Sequence, residues 1–213
     1  MNKYQAQNLR QTLSESGIAS GRPFTESEIA AFCSYHELVT RWNPRLHLTT
    51  LTEPVLFAQR HIIESAYGVS CLHPSVAKLW DFGSGLGVPG IPFAILRPDL
   101  EVILVEANRK KSVFLKEAAD RLQLGNISVL NLRFEAINGI GSEDCITVRA
   151  IEEMVEMYGK LLEVGQMALQ ILIFGSSQLR SLILRTLPPN RKVSDQLLPF
   201  ATDRRVISLL RST

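Results

Sequence analysis

Cysteine is scarce in this sequence, which argues against two kinds of small-protein framework. The 213 residues contain only Cys33, Cys71 and Cys145, which are odd in number, far apart and without a C-x-x-C pair. Such a set does not form a disulfide scaffold or a zinc site, and it is typical of reduced core cysteines. We therefore expect a cytoplasmic protein that holds no metal.

Long apolar runs are also missing. No run reaches the roughly 18 residues that a membrane span requires. The first residues, MNKYQAQNLRQTLSESG, are polar and lack the apolar centre of a secretory signal. We expect no contact with a membrane. The net charge of +2 is compatible with a nucleic-acid partner but does not indicate one.

What the sequence has is enough apolar material for one core, since 46% of its residues are hydrophobic. Its first third predicts helices. Thr25 and Glu28 have the spacing of a capping box, and Pro54 stands at the first position of another helix that should run to about Cys71. His73-Pro74 then breaks the pattern. We assign residues 1–74 to an N-terminal helical extension.

From residue 77 onward, short apolar runs alternate with amphipathic segments, which predicts a parallel sheet covered by helices on both faces. The predicted strands are AKLWDF, EVILVE, ISVLNL, CITVR and MALQILIF. Two further runs, KVSDQLLPF and RRVISLLR, are joined by a short turn and predict an antiparallel hairpin at the sheet edge. A mostly parallel α/β sheet that ends in a hairpin is the topology of class I methyltransferases, which we assign to residues 75–213.

The stretch WDFGSGLGVPGIP follows the first predicted strand and contains two overlapping glycine patterns. Asp81-x-Gly83-x-Gly85-x-Gly87 matches the loop of S-adenosylmethionine (SAM) enzymes, whereas Gly85-x-Gly87-x-x-Gly90 matches the dinucleotide fingerprint. Asp81 and the terminal hairpin favour SAM, and an NAD-dependent oxidoreductase stays open as an alternative. A tight turn without a ligand is the structural alternative.

Glu106 ends the second predicted strand, about 20 positions after the glycine loop. A carboxylate at this place can accept hydrogen bonds from both ribose hydroxyls of a nucleoside cofactor. We therefore predict that Asp81, Gly83, Gly85, Gly87 and Glu106 bind the cofactor.

Most of the chain, from about Trp42 to Arg211, resembles the glucose-inhibited division protein B family. These are bacterial methyltransferases that modify guanine N7 in small-subunit (16S) ribosomal RNA. The matching pieces are WNPRLHLTTLTEP, RHIIES, DFGSGLGVPGIPFAILRPD, RKKSVFL, RFEAI and VRAI. The resemblance implies a Rossmann-like, SAM-dependent enzyme that acts on ribosomal RNA or on an assembling small subunit. We expect it to act as a monomer.

The resemblance also implies site residues. Gly83 and Val88 in the loop, Phe134 and Glu135 after the third strand, and Arg149 after the fourth fall where the family contacts its cofactor. Guanine N7 carries a free lone pair, so no general base is needed and we predict no catalytic acid or base. Candidate RNA contacts are Arg45, His47, Arg60, His61 and Lys110.

The chain departs from the family's pattern at four positions. His47 stands where the family usually has asparagine, and Glu64 replaces an aspartate in RHIIES. Phe174 takes the place of a lysine after the fifth strand, and Ile151 that of an aromatic residue after Arg-Ala. These departures predict an intact cofactor site and an altered RNA-facing side. The alternatives are methylation of another RNA site or a small molecule, and a SAM-binding RNA-interaction protein without turnover.

Overall fold

The computed structural model describes residues 3–149 and 155–212 and begins with two packed helices, α1 (Lys3–Ser16) and α2 (Glu26–Leu46). The predicted capping box is confirmed at the start of α2. The Thr25 hydroxyl accepts the Glu28 N–H at 3.3 Å, and the Glu28 carboxylate accepts the Thr25 N–H at 2.7 Å. Both bonds satisfy N–H groups that have no partner within the helix.

A second helical run follows, and its middle turn is widened. It consists of α3 (Pro54–Phe57), a π-helical segment (Ala58–Ile63) and α4 (Glu64–Ser70). The Glu53 carboxylate caps its start by accepting the N–H groups of Val55 and Leu56. The predicted start and end of this helix are confirmed. The π-helical segment was not predicted, and π-helical turns occur often at functional sites.

Within the described residues, seven strands form one sheet in the order β3-β2-β1-β4-β5-β7-β6. The first five strands run parallel, and β7 is antiparallel to both β5 and β6. The strands are β1 (Lys78–Phe82), β2 (Glu101–Val105), β3 (Ile127–Leu130), β4 (Asp144–Arg149), β5 (Gln170–Gly175), β6 (Arg191–Leu197) and β7 (Arg205–Arg211). The predicted fold class and the predicted terminal hairpin are confirmed.

Alternate residues of the strands point into two helical layers, as period-two strands require. Leu79 and Leu104 join the core that contains residues of α1 to α4, whereas Trp80 and Phe82 join the core with Tyr158. The remaining helices are α5 (Gly90–Leu96) and α6 (Arg109–Arg121) in the first layer, and α7 (Val155–Val164) and α8 (Ser177–Thr186) in the second. Burial of each large apolar side chain contributes about 1.5–3 kcal/mol.

The direction of the strands determines where a ligand site can lie. Because β1, β2, β4 and β5 are parallel, their carboxyl ends meet at one edge of the sheet, where open α/β sheets bind ligands. Among the helices of residues 3–149 and 155–212, none is long and apolar enough to cross a membrane.

Candidate functional site

A loop of glycines follows β1 at this edge. Gly83, Gly85 and Gly87 have φ angles of 70°, 57° and 96°, which lie in the left-handed region that favours glycine. The N–H groups of Gly83 and Ser84 donate to the Val105 carbonyl at 2.9 and 3.2 Å, which fastens the loop to the end of β2. The loop therefore bends sharply at its glycines.

The glycines divide into two pairs by what surrounds them. A Cβ on Gly83 would meet no atom within 4 Å, and one on Gly85 would meet only the Gly83 carbonyl at 3.7 Å. A Cβ on Gly87 would lie 2.4 Å from Ile91, and one on Gly90 would lie 2.3 Å from Leu104. Gly90 lets α5 pack closely on the sheet, and Gly87 makes room for the side chains of Ile91 and Leu115. The first pair leaves open space beside the backbone, which is what a bound group needs.

Asp81 lies beneath the loop and is 1% exposed. Its Oδ2 accepts the N–H of Gly90 at 3.2 Å, while its Oδ1 is buried and has no hydrogen-bond partner among the described residues. Burial raises the pKa of Asp81 to about 7. A buried carboxylate oxygen without a partner is unfavourable, so a donor or cation on a bound molecule would stabilise it.

Glu106 closes the other side of the loop. Its Oε2 accepts the Gly85 N–H at 2.8 Å, and its Oε1 accepts the Asn108 N–H at 2.7 Å. The Asn131 side chain holds the same corner by donating to the Glu106 carbonyl. A carboxylate offers about four lone pairs, so two stay available after these contacts. Glu106 can therefore shape the loop and still accept hydrogen bonds from a ligand.

The residues implied after β3 lie in a short 3-10 turn (Phe134–Ala136). The Phe134 ring stacks on Phe82 with centroids 5.3 Å apart and planes inclined by 25°. The Glu135 side chain is exposed, and Val88 is buried in the first-layer core. Phe134 thus provides an aromatic surface next to Phe82, at the end of the strand that leads into the glycine loop, whereas the Val88 side chain is part of the core.

Arg149 ends β4 and belongs to a cluster that we call the Glu64 cluster, formed by Arg60, Glu64, Arg149 and Arg204. The buried Glu64 carboxylate is the shared partner of the three arginines. Oε2 accepts Arg149 Nη2 at 2.9 Å, and Oε1 accepts Arg204 Nε at 3.0 Å. Arg60 Nε lies 3.2 Å from Oε1 without the alignment of a hydrogen bond. Arg149 also donates to the Arg60 carbonyl at 2.7 Å.

Two of the departures from the family pattern lie at the Glu64 cluster. Glu64 is the centre of the cluster. Phe174 is buried, with the Arg149 guanidinium 5.9 Å from its ring centroid, a distance typical of a cation–π contact. A Cβ on Gly68 would lie 2.5 Å from the Phe174 ring, so the small residue in α4 makes room for the aromatic side chain. Ile151 lies outside the described residues.

Arg204 is the functional candidate that sequence reasoning missed. It follows the β6–β7 turn, and no local pattern links it to RHIIES. The adjacent Arg205 pairs instead with Asp195, so only the register of the hairpin selects which arginine reaches the site.

The candidate RNA contacts differ in exposure. Arg45, His47 and Lys110 are exposed, and Arg60 is half-buried in the Glu64 cluster. His47 caps the end of α2 with a φ of 47°. His61 is buried, its Nε2 pairs with the Thr49 hydroxyl at 2.9 Å, and burial lowers its pKa to about 3. The structure therefore places His61 as a neutral packing residue in the first layer.

The arrangement of metal-ligating side chains among the described residues also bears on what the site can hold. In the part of the chain that the structure describes, no group of three or more His, Cys, Asp or Glu side chains is arranged to hold an ion. A nucleoside cofactor with a cationic side chain fits the site better. Gly83 and Gly85 leave room along the backbone, Asp81 Oδ1 has no hydrogen-bond partner among the described residues, and Glu106 has free lone pairs.

Comparison with known proteins gives a family match over most of the chain. The profile of GidB, described as rRNA small subunit methyltransferase G, matches residues 28–185. A relative named ribosomal RNA small subunit methyltransferase G, from Xanthomonas euvesicatoria pv. vesicatoria, is 38% identical over 64% of this chain and 65% of its own length. The matched stretch therefore spans just under two thirds of that relative.

A relative of the same name from Nitrosospira multiformis is 34% identical over 70% of each chain. Among solved structures, a SAM dependent methyltransferase from Aquifex aeolicus superposes with a TM-score of 0.52. It is 13% identical and covers 63% of this chain and 82% of that one. At this identity the superposition establishes the fold alone.

Proposed function

The chain belongs to the GidB family of rRNA small subunit methyltransferases, and we propose that it transfers a methyl group from SAM to guanine N7 in small-subunit ribosomal RNA. The observation that carries the proposal is the loop from Asp81 to Gly87 beside Glu106. It leaves open backbone, an unpaired carboxylate oxygen and free acceptor sites at one edge of the sheet.

The roles that we propose for the cofactor-binding candidates combine their surroundings with the family resemblance. Gly83, Gly85 and the backbone of Gly87 and Val88 line the methionine part of SAM. Glu106 accepts hydrogen bonds from the ribose hydroxyls. The family resemblance implies an adenine surface at Phe134 and Glu135 and a cofactor contact at Arg149, at the boundary toward the substrate. Asp81 is the acceptor for the cationic part of SAM.

SAM supplies a methyl group on a positively charged sulfur. In the transfer, the bond between sulfur and methyl carbon breaks as the bond between that carbon and guanine N7 forms, and the positive charge passes to the base. N7 attacks with its own lone pair, so the chain needs to remove no proton. The protein contributes by holding both groups aligned, which supplies roughly 7–11 kcal/mol in favourable cases.

We propose that both parts of the chain contact RNA. We assign Arg45 and His47, in the helical extension of residues 1–74, and Lys110, in the methyltransferase domain of residues 75–213, to contacts with RNA. Guanine must stand in a loop, because the narrow major groove of an RNA duplex hides N7 from side chains. We leave His61 out of these contacts because its ring is buried and neutral.

Labelled SAM tests the function. Purified protein is incubated with small subunits, with naked small-subunit ribosomal RNA, and with an RNA in which the modified guanine is replaced by adenine. Label should enter the first or second substrate and be retained as 7-methylguanosine after digestion. Equal labelling of the RNA without that guanine contradicts N7 transfer. No label in any sample, with SAM binding intact by calorimetry, contradicts enzymatic turnover.

A further inference from the structure

The Glu64 cluster has more positive charge than its carboxylate can balance. Three guanidinium groups meet one carboxylate, and the Glu64 side chain is only 1% exposed. Guanidinium groups keep their charge in proteins, so the cluster carries a surplus of two positive charges. Like charges held together and withdrawn from water are unfavourable unless an opposite charge joins them.

The surplus charge is directed toward a cavity. The cavity has a volume of about 130 Å³ and is lined by all four cluster residues together with Phe174, Gly175 and Leu198. Arg149 Nη1 is buried and has no hydrogen-bond partner among the described residues. Small-molecule pockets measure roughly 300–1,000 Å³, so this cavity suits a compact anionic group and is too small for a nucleoside.

One wall of the cavity is related to the glycine loop through the sheet. Phe82 pairs with Val148 in the β1–β4 register, which sets Arg149 level with Gly83 on the neighbouring strand. Adjacent strands lie about 4.8 Å apart. Arg149, which lines the cavity, therefore stands one strand away from the start of the glycine loop.

We propose that Arg60, Arg149 and Arg204 bind one backbone phosphate of the RNA beside the target nucleotide. This deepens the proposed function and depends on RNA being the substrate. A phosphate adds the negative charge that the cluster lacks, and guanidinium groups match its oxygens with two parallel donors. Arg60 and Arg204 are 32% and 29% exposed in their side chains, so they face the open side from which RNA arrives. Arg149 lies at the inner wall.

The chain supplies a matched control for the test. Arg205 is adjacent to Arg204, its side chain is 30% exposed, and it also pairs with one acidic residue, Asp195. Arg204→Gln and Arg205→Gln therefore remove the same charge from neighbouring positions with similar exposure. Only the first change alters the cavity.

The experiment measures binding of naked small-subunit ribosomal RNA at several salt concentrations, with SAM affinity by calorimetry in parallel. Arg204→Gln should weaken RNA binding about tenfold, because a hydrogen bond to a charged group is lost. It should also reduce the salt slope by about 0.7, which corresponds to one phosphate contact. SAM affinity should stay within twofold, and Arg205→Gln should change neither quantity by as much.

A second pair of measurements guards against loss of folding. Arg204→Lys keeps the positive charge and should keep the salt slope of the wild type. Inorganic phosphate should compete with RNA for the wild-type protein more strongly than chloride does at equal ionic strength.

Three results would overturn the proposal. They are a fall in SAM affinity with RNA binding unchanged, equal losses in both glutamine variants, or altered stability with neither affinity changed. The first assigns the cluster to the carboxylate of the cofactor, the second to general surface charge, and the third to an internal ion pair. RNA binding that follows the prediction without any methyl transfer in the wild type contradicts the proposed reaction and leaves the phosphate site standing.

Discussion

Glu106 and Gly85 are joined by a hydrogen bond of 2.8 Å from the glycine N–H to the carboxylate Oε2. The bond couples the acid at the end of β2 to the loop that follows β1. Glu106 therefore holds the loop in its open shape and can also accept hydrogen bonds from a ligand.

Replacing Glu106 with glutamine should weaken SAM binding tenfold or more. The amide loses the negative charge, and its NH₂ group faces one of the two N–H donors that the carboxylate now accepts. Hydrogen bonds to charged groups contribute about 1.5–3 kcal/mol. Calorimetry with SAM measures the effect, and Glu101→Gln, an exposed change on the same strand, serves as the control. Unchanged affinity in Glu106→Gln would assign the ribose to another acid.

The two glycine pairs should respond differently to substitution. Gly85→Ala places a methyl group in the open space that we assign to SAM, so it should abolish most SAM binding. It should also destabilise the fold by about 1–2 kcal/mol, because alanine is strained in the left-handed backbone conformation. Gly87→Ala adds a clash with Ile91 to the same strain, and overpacking costs a further 1–3 kcal/mol. Urea unfolding and calorimetry separate the two effects. Equal losses of stability in the two variants would contradict the distinction between the open and the packed glycines.

Asp81 should make stability fall as pH rises from about 4 to about 7. Burial raises the pKa of Asp81 to about 7 in the folded protein, so in this range the folded state keeps a proton that the unfolded chain has released. The free energy of unfolding then decreases with pH.

Asp81→Asn has no such proton. Between pH 5 and pH 8 the free energy of unfolding of the wild type should therefore fall by about 2–3 kcal/mol more than that of Asp81→Asn, since one pKa unit corresponds to about 1.4 kcal/mol. Urea unfolding at the two pH values measures this. Parallel pH dependence in both proteins means that Asp81 ionises near its ordinary pKa.

Charge reversal at Arg45 or Lys110 should weaken RNA binding and leave SAM affinity nearly unchanged. Both residues are exposed and lie outside the glycine loop, and loss of a phosphate contact lowers the salt dependence of binding. Filter binding with ribosomal RNA measures the effect. Lys160→Glu, on α7 in the second helical layer, is the control. If Lys160→Glu weakens RNA binding to the same extent, these positions do not mark the RNA-binding side.

Much of the fold could be predicted because its signals are local. Short stretches of sequence predict the capping box at Thr25, the alternation of strands and helices, and the terminal hairpin. The structure confirms all three. The family resemblance is confirmed by the profile match. Its motifs are also short and continuous.

The parts that escaped prediction depend on register and packing. The π-helical segment changes which residues of RHIIES point inward, and that widening has no sequence signature. His61 therefore appeared accessible in a linear reading, although it is buried against Phe57. The link from Glu64 to Arg204 depends on the hairpin register. The roles proposed for the cofactor-binding candidates stay predictions, because they concern contacts with a bound molecule.

The Glu64 cluster also constrains the order in which the protein can mature. Glu64 meets Arg149 85 positions later and Arg204 140 positions later. A partly synthesised chain that ends before β4 offers this carboxylate only Arg60, one turn earlier. An ion buried with incomplete pairing is unfavourable by several kcal/mol, so burial of Glu64 at its final depth is favoured only once β4 and the hairpin have joined the sheet. We therefore expect the wall of the site to form late, so that a partly synthesised chain has no finished binding surface.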